Sequence, residues 1–194
     1  MIDYIKGEVA ELMPASVTIE TNGVGYFAQI SLNTYSAISA KKEAKLYIFE
    51  SIREDAYQLF GFADKHERDV FIHLISVSGV GASTARMILS SMTTQELESV
   101  IASGNADQLK TVKGIGLKTA QRIIVDLKDK IQKIAGDPAQ NALLGNNTIV
   151  EEAVAALVML GFTQNASHKA VTNILKQTPS ASIEQAIKAA LKIL

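Results

Sequence analysis

Leu74-Ile-Ser-Val-Ser-Gly-Val-Gly-Ala-Ser-Thr-Ala-Arg-Met-Ile-Leu89 and, 35 residues later, Leu109-Lys-Thr-Val-Lys-Gly-Ile-Gly-Leu-Lys-Thr-Ala-Gln-Arg-Ile-Ile124 are two copies of one pattern. Seven of the sixteen positions are identical, both glycines and the Thr-Ala pair among them. A repeat in a chain of 194 residues demands a reading before any single side chain does. Each copy runs from helical spacing into Gly-apolar-Gly and out into helical spacing again, which predicts helix, tight turn, helix. Gly79, Gly81, Gly114 and Gly116 permit backbone conformations closed to other residues and clear the outer face of the turn. The next helix then presents unpaired N–H groups outward, where its dipole favours an anion. Val80 and Ile115 are expected to turn inward and pin each hairpin between its helices. With Ser83 and Arg86 in the first copy, and Lys118, Thr119 and Arg122 in the second, the pattern predicts a device that holds phosphate without reading a base. The competing reading is a pair of packing elements whose glycines serve close approach alone.

Upstream of the repeat the period is two. Val17–Thr21 alternates apolar and polar, and Asn22-Gly23 follows as a hairpin signal. Val24–Ile30, Lys45–Phe49 and Tyr57–Phe62 are aromatic and β-branched, and Met1–Leu12 is read as the opening strand. Five short strands with a helical turn near Asn33–Ile38 fit a small closed barrel better than a sandwich. From Ala63 the period becomes 3.6. Asp64 is a candidate N-cap, Thr93-x-x-Glu96 a capping box, and Gly104 a helix stop. Leu117–Ile134 carries one continuous apolar stripe. Residues 136–147, rich in Gly, Asn and Pro, are read as a linker. Thr148-x-x-Glu151 is read as opening a third segment, with helices at Ile149–Leu160, Gln164–Lys176 and Ser182–Ile193 broken at Gly161 and Pro179. The expected organisation is therefore α+β and multidomain: barrel 1–62, all-α tandem hairpins 63–135, linker 136–147, three-helix bundle 148–194.

Composition limits the chemistry. Hydrophobic residues are 47% and charged residues 20%, too apolar for a disordered chain. Zero cysteines exclude disulfides, thiolate zinc sites and cysteine catalysis. No apolar run approaches the roughly 20 residues a bilayer span needs, and the first residues lack signal-peptide features, so a cytoplasmic protein is expected. Lys118-Thr119 lacks the glycine immediately before it that a P-loop requires. Gly23-x-Gly25-x-x-Ala28 leads into a strand, where a dinucleotide fingerprint must open a helix. No cofactor is expected on this chain. Net charge is −1, but residues 63–135 hold ten Lys+Arg against eight Asp+Glu. Seven bases (Lys110, Lys113, Lys118, Arg122, Lys128, Lys130, Lys133) crowd the second hairpin, against Asp126 and Asp129. Phosphate neutralisation should contribute to affinity and fade with salt. A solvated helix face is the other reading for the last three lysines.

Glu54-Asp55 lies between the fourth and fifth strands. Its plain reading is a polar hairpin tip. Its functional reading is repulsion: like charges about 4 Å apart near a protein surface repel by up to about 4 kcal/mol before screening, enough to steer phosphate strands.

The doubled hairpin resembles the helix-hairpin-helix motif of DNA-binding proteins. Val24-Gly25-Tyr26, Arg53-Glu54-Asp55-Ala56, Leu59-Phe60-Gly61-Phe62, that doubled hairpin and Ala156-Leu-Val-Met-Leu-Gly-Phe162 occur in order along essentially the whole chain. Together they resemble the RuvA family of bacterial Holliday-junction branch-migration subunits. The resemblance implies an OB-fold barrel, a tandem helix-hairpin-helix domain and a mobile C-terminal bundle. It implies a homotetramer, with face-to-face pairing of two tetramers a further arrangement, that holds a four-way DNA junction open during recombination and repair. Glu54 and Asp55 match the family's acidic pin, and the residues of both hairpins named above match its backbone grips. The C-terminal segment matches the part that engages RuvB, the hexameric motor that uses ATP and Mg, with Leu157, Leu160, Gly161 and Phe162 as candidates; the RuvC resolvase is a further implied partner. Two departures stand out. The first hairpin continues Ala82-Ser83-Thr84 without a lysine, so its grip would rest on amides and Arg86, and the linker is short. The alternatives are a helix-hairpin-helix glycosylase or nuclease, for which Asp126 is the nearby carboxylate, and a generic duplex-binding module.

Overall fold

The computed structural model describes residues 1–134, 145–178 and 181–194. Two compact units emerge, Met1–Ala135 and Gly136–Leu194. In the first, β1 (Tyr4–Met13), β2 (Ser16–Thr21), β3 (Val24–Ile30), β4 (Glu43–Ile52) and β5 (Tyr57–Phe62) close a barrel in the order β1-β2-β3-β5-β4. β4 returns antiparallel onto β1, and the only parallel pairing among these strands joins β3 to β5. Alternation puts Val17, Ile19, Ala28, Ile30, Leu46 and Ile48 inside, each nearly inaccessible. Asn22 (φ 50°) and Gly23 (φ 80°) form the primed turn joining β2 to β3. A Cβ on Gly7 would sit 2.0 Å from the Glu20 carbonyl, so β1 can pass β2 this closely only as glycine.

Two strands differ from the sequence reading. β1 starts at Tyr4, and β4 extends from Glu43 to Ile52, well beyond Lys45–Phe49. The ladder with β5 continues to Ile52 opposite Tyr57, because backbone pairing needs no apolar side chain. The helical turn near Asn33 is α1 (Leu32–Ile38).

The helices of this unit are α2 (Lys65–Ile75), α3 (Ala82–Ser91), α4 (Thr94–Ser103), α5 (Ala106–Leu109) and α6 (Leu117–Ile134). Asp64 accepts from the Glu67 N–H at 2.8 Å, Thr93 and Glu96 close a capping box, and Gly104 ends α4 at φ 74°. Phe71 of α2 meets the rings of Phe49, Phe60 and Phe62, centroids 5.4, 5.3 and 4.9 Å away. Phe60 and Phe62 of β5 thus lie in the same apolar cluster as α2–α6. The barrel interior around Val17, Ile19, Ile30 and Leu46 forms a second cluster, so β5 is the strand that contributes buried residues to both.

The second unit has α7 (Gly145–Met159), α8 (Gln164–Gln177) and α9 (Ile183–Ala190) around Ala153, Val154, Leu157, Ala170, Val171, Ala186 and Ala190. Small residues let short helices approach closely enough to bury their faces. Gly161, at φ 102°, turns the chain between α7 and α8. The expected start near Thr148 is displaced, since α7 begins at Gly145. The expected linker therefore lies outside the described residues only up to 144, and 145–147 form the first turn of α7. The expected break at Pro179 lies outside the described residues.

Candidate nucleic-acid interface

The two hairpins are the same object built twice. α2 gives way to a turn in which the Val80 N–H donates to the Val77 carbonyl at 3.0 Å; in the second copy Ile115 donates to Val112 at 3.1 Å. Gly79 and Gly114 have φ of 91° and 90°, positions an L side chain rarely adopts. Val80 and Ile115 are each 5% exposed, turned inward. Gly81 and Gly116 then precede α3 and α6, their carbonyls accepting from Ala85 and Ala120 at 2.9 Å.

Capping separates these two helices from six of the others. α1, α2, α4, α5, α8 and α9 each start behind a residue whose side chain accepts a first-turn N–H: Ser31, Asp64, Thr93, Asn105, Thr163 and Ser182. Behind α3 and α6 stands glycine, which has no side chain to offer. Their first N–H groups remain available at the positive end of the helix dipole. Gly81 has an ordinary extended backbone, φ −89° and ψ 170°, and a Cβ there would meet nothing within 4 Å; the same open space surrounds Gly116. Among the described residues nothing crowds either place, so contact inside the protein does not require glycine there. Such bare amides suit an anion approaching from outside, the arrangement in which phosphate is held.

Lys113, Lys118 and Ser83 are exposed beside the turns, and Thr119 is half-buried. Arg122 donates through Nη1 to the Ser78 carbonyl at 3.3 Å, tying the second hairpin's helix to the first hairpin's turn. Arg86 is tied to the barrel in the same way. Its Nη1 donates to the Ala15 carbonyl between β1 and β2 at 2.9 Å, so it braces the barrel with one of its five N–H donors. Lys110 is likewise partly used: it pairs with Asp107 at 2.6 Å and holds that carboxyl below its usual range. Asp126 is exposed on α6, and among the described residues no group of three or more His, Asp or Glu could hold a metal.

The acidic tip caps the β4–β5 hairpin. Arg53 and Ala56 exchange backbone hydrogen bonds (2.8 and 3.4 Å), and Glu54 and Asp55 project between them into solvent. Just below, Tyr57 Oη donates to Glu50 Oε1 at 2.6 Å and the Ile2 N–H donates to Glu50 Oε2 at 2.8 Å. Tyr57 in particular holds the Glu50 carboxyl below its ordinary range, and Glu50 in turn raises the Tyr57 phenol. The tip stands on an anchored base.

In the second unit the four candidate residues separate. Leu157 is fully buried in the bundle's own core, while Phe162 is half-buried against it and Gly161 is exposed. Leu160 is 61% exposed at the end of α7, beside the left-handed Gly161. Val158 and Met159, not among the candidates, extend that apolar surface. Helical spacing could have found them: with Leu157 inward, the next two positions rotate outward. Among the described residues no helix is long and apolar enough to cross a membrane.

Three family models match the chain: RuvA N terminal domain over residues 1–61, SAM-like helix-hairpin-helix tandem over 71–129, and RuvA, C-terminal domain over 148–194. The chain is 60% identical to the Holliday junction branch migration complex subunit RuvA of Bacteroides thetaiotaomicron, covering 99% of both chains. It is 54% identical to the protein of that name in Azobacteroides pseudotrichonymphae and 50% identical to that of Porphyromonas gingivalis, covering 100% of each pair.

Proposed function

The chain belongs to the RuvA family, and from that premise we propose that it is the non-catalytic, junction-binding subunit of a Holliday junction branch-migration complex. The observation that carries this is the pair of glycine-capped helices, whose free amides are offered outward in duplicate from one unit that also bears the acidic tip. Duplicated backbone grips match a ligand with two phosphate backbones and confer no preference for base sequence. Specificity then comes from shape. Four copies around a crossover would grip four arms, while four Glu54-Asp55 tips repel phosphates at the centre and keep the strands apart.

Force has to come from elsewhere, and a RuvB-type ATPase bound to the second unit would supply it; a RuvC-type resolvase is a further partner on the same junction. Leu160, with Val158 and Met159, is the surface that best suits the motor, being apolar and exposed outside the bundle's core.

A salt-titrated gel shift comparing a four-way junction with linear duplex of matched length tests the proposal. Junction binding should survive duplex competitor and weaken with salt. Equal binding to both would reduce the hairpins to generic grips and defeat the junction reading.

A further inference from the structure

Besides the phenylalanine cluster, a set of hydrogen bonds joins the barrel to the helices, and it converges on two helix ends. The Leu32 N–H, a first-turn donor without a partner inside α1, donates to Ser90 Oγ near the end of α3 at 3.1 Å. In return Asn33 Nδ2 donates to the Leu89 carbonyl at 2.7 Å and the Met92 carbonyl at 3.0 Å, satisfying acceptors that α3 leaves open. Each helix caps the other. Beside them Glu67 of α2, only 3% exposed, accepts from Ser31 Oγ and from Thr34 Oγ1, the latter at 2.6 Å. Those hydroxyl oxygens accept in turn from the Thr34 N–H at 3.0 Å and the Ala63 N–H at 3.1 Å.

These contacts link three elements with distinct duties. α1 belongs to the barrel that carries the acidic tip; α3 is the helix opened by the first glycine hairpin; α2 leads into that hairpin. The phenylalanine cluster already supplies apolar adhesion, but apolar contact is non-directional and permits sliding. Hydrogen bonds have angular requirements, and buried ones leave a costly unpaired group when the parts shift.

We propose that Asn33 and Glu67 are positioning residues for junction recognition: they lock the angle at which the barrel is carried on the hairpins, and so set selectivity for a four-way junction over linear duplex. This rests on the junction-binding reading above. A duplex can be gripped by the hairpins alone, whereas a junction must satisfy hairpins and tip at once, so a loosened seam should penalise only the junction.

The test measures junction and duplex affinities for the full chain by fluorescence anisotropy, with thermal unfolding run in parallel. In Asn33→Ala and Asn33→Asp, which lack the double donor, the junction-to-duplex affinity ratio should fall about fivefold, the equilibrium equivalent of one hydrogen bond's net worth, with duplex affinity unchanged. Glu67→Ala should do the same, and Glu67→Gln, which keeps the shape and hydrogen-bonding reach, should restore most of the ratio. If Asn33→Asp fails to fold, Asn33→Ala carries the test. An unchanged ratio overturns the proposal, including where the melting temperature drops, since that result makes the seam structural only. Wild-type protein showing no junction preference sinks the underlying reading instead, and that failure is visible before any variant is made.

Discussion

Gly116→Ala and Gly114→Ala sit two residues apart in one turn, yet they should fail in opposite ways. Gly114 has φ 90°, so alanine there is strained although its Cβ would meet nothing within 4 Å. Left-handed backbone costs an L residue about 1–2 kcal/mol, which for a unit of this size lowers the melting temperature by roughly 3–10 °C. Gly116 lies outside the left-handed region and is equally open, so alanine there should leave stability unchanged or raise it by about 0.4–1 kcal/mol through a stiffer unfolded chain. Its methyl group would, however, stand where a phosphate reaches the amides opening α6. A hydrogen bond to a charged group is worth about 1.5–3 kcal/mol, so losing one should weaken binding roughly ten- to hundredfold. Gly79→Ala and Gly81→Ala should reproduce the contrast in the first hairpin. Differential scanning calorimetry reads the first quantity and equilibrium anisotropy on junction and duplex the second. Gly116→Ala at wild-type affinity would refute the assignment of its bare face to phosphate. A loss of several degrees would refute the premise that the fold itself leaves that position open.

Three further outcomes are expected. Burial, the largest influence on Glu67, raises its carboxyl above the ordinary 4.5, against the lowering effect of the Ser31 and Thr34 hydroxyls. The folded state therefore holds that proton more tightly than the unfolded chain, and the resulting stability is complete below pH 4.5 and lost as pH rises through the folded value. Glu67→Gln, neutral throughout, should gain stability relative to wild type as pH rises above 4.5 in urea titrations; a difference independent of pH contradicts the shift. Neutralising the tip with Glu54→Gln and Asp55→Asn should preserve or raise junction affinity while altering branch migration with the motor present, and abolished DNA binding would contradict a repulsive role. In the second unit, Leu157→Ala should destabilise the bundle by about 2–5 kcal/mol, whereas Leu160→Asp should leave its melting intact and abolish capture of the RuvB-type ATPase. Capture surviving Leu160→Asp would remove that surface from the interface.

Much of the candidate site was legible in the linear chain because its signals are local. A Gly-x-Gly turn, the apolar residue that pins it, a capping box and an Asn-Gly hairpin each depend on residues within a few positions of one another, and the 35-residue repeat marked the first of these twice. The same locality explains the misplacements. The bond from Arg86 to the barrel was invisible in the sequence because its acceptor, Ala15, is 71 positions away. Nothing in the linear sequence singles out Glu67; only folding brings Ser31 and Thr34 to it and removes water from around all three. β4 outran its apolar signal because the partner strand, and not its own composition, sets where a ladder ends.

Periodicity, turn chemistry and the duplicated hairpin determined by themselves that this chain builds a small barrel, a tandem of Gly-x-Gly turns and a helical bundle, since those depend on interactions a few residues long. Tertiary structure decided which cations carry internal partners, that Phe60 and Phe62 of the barrel join the helices' core, and that Asn33 and Glu67 hydrogen-bond across the same seam. Those are properties of groups far apart in sequence, whose protonation and pairing depend on who their neighbours are once the water between them has gone.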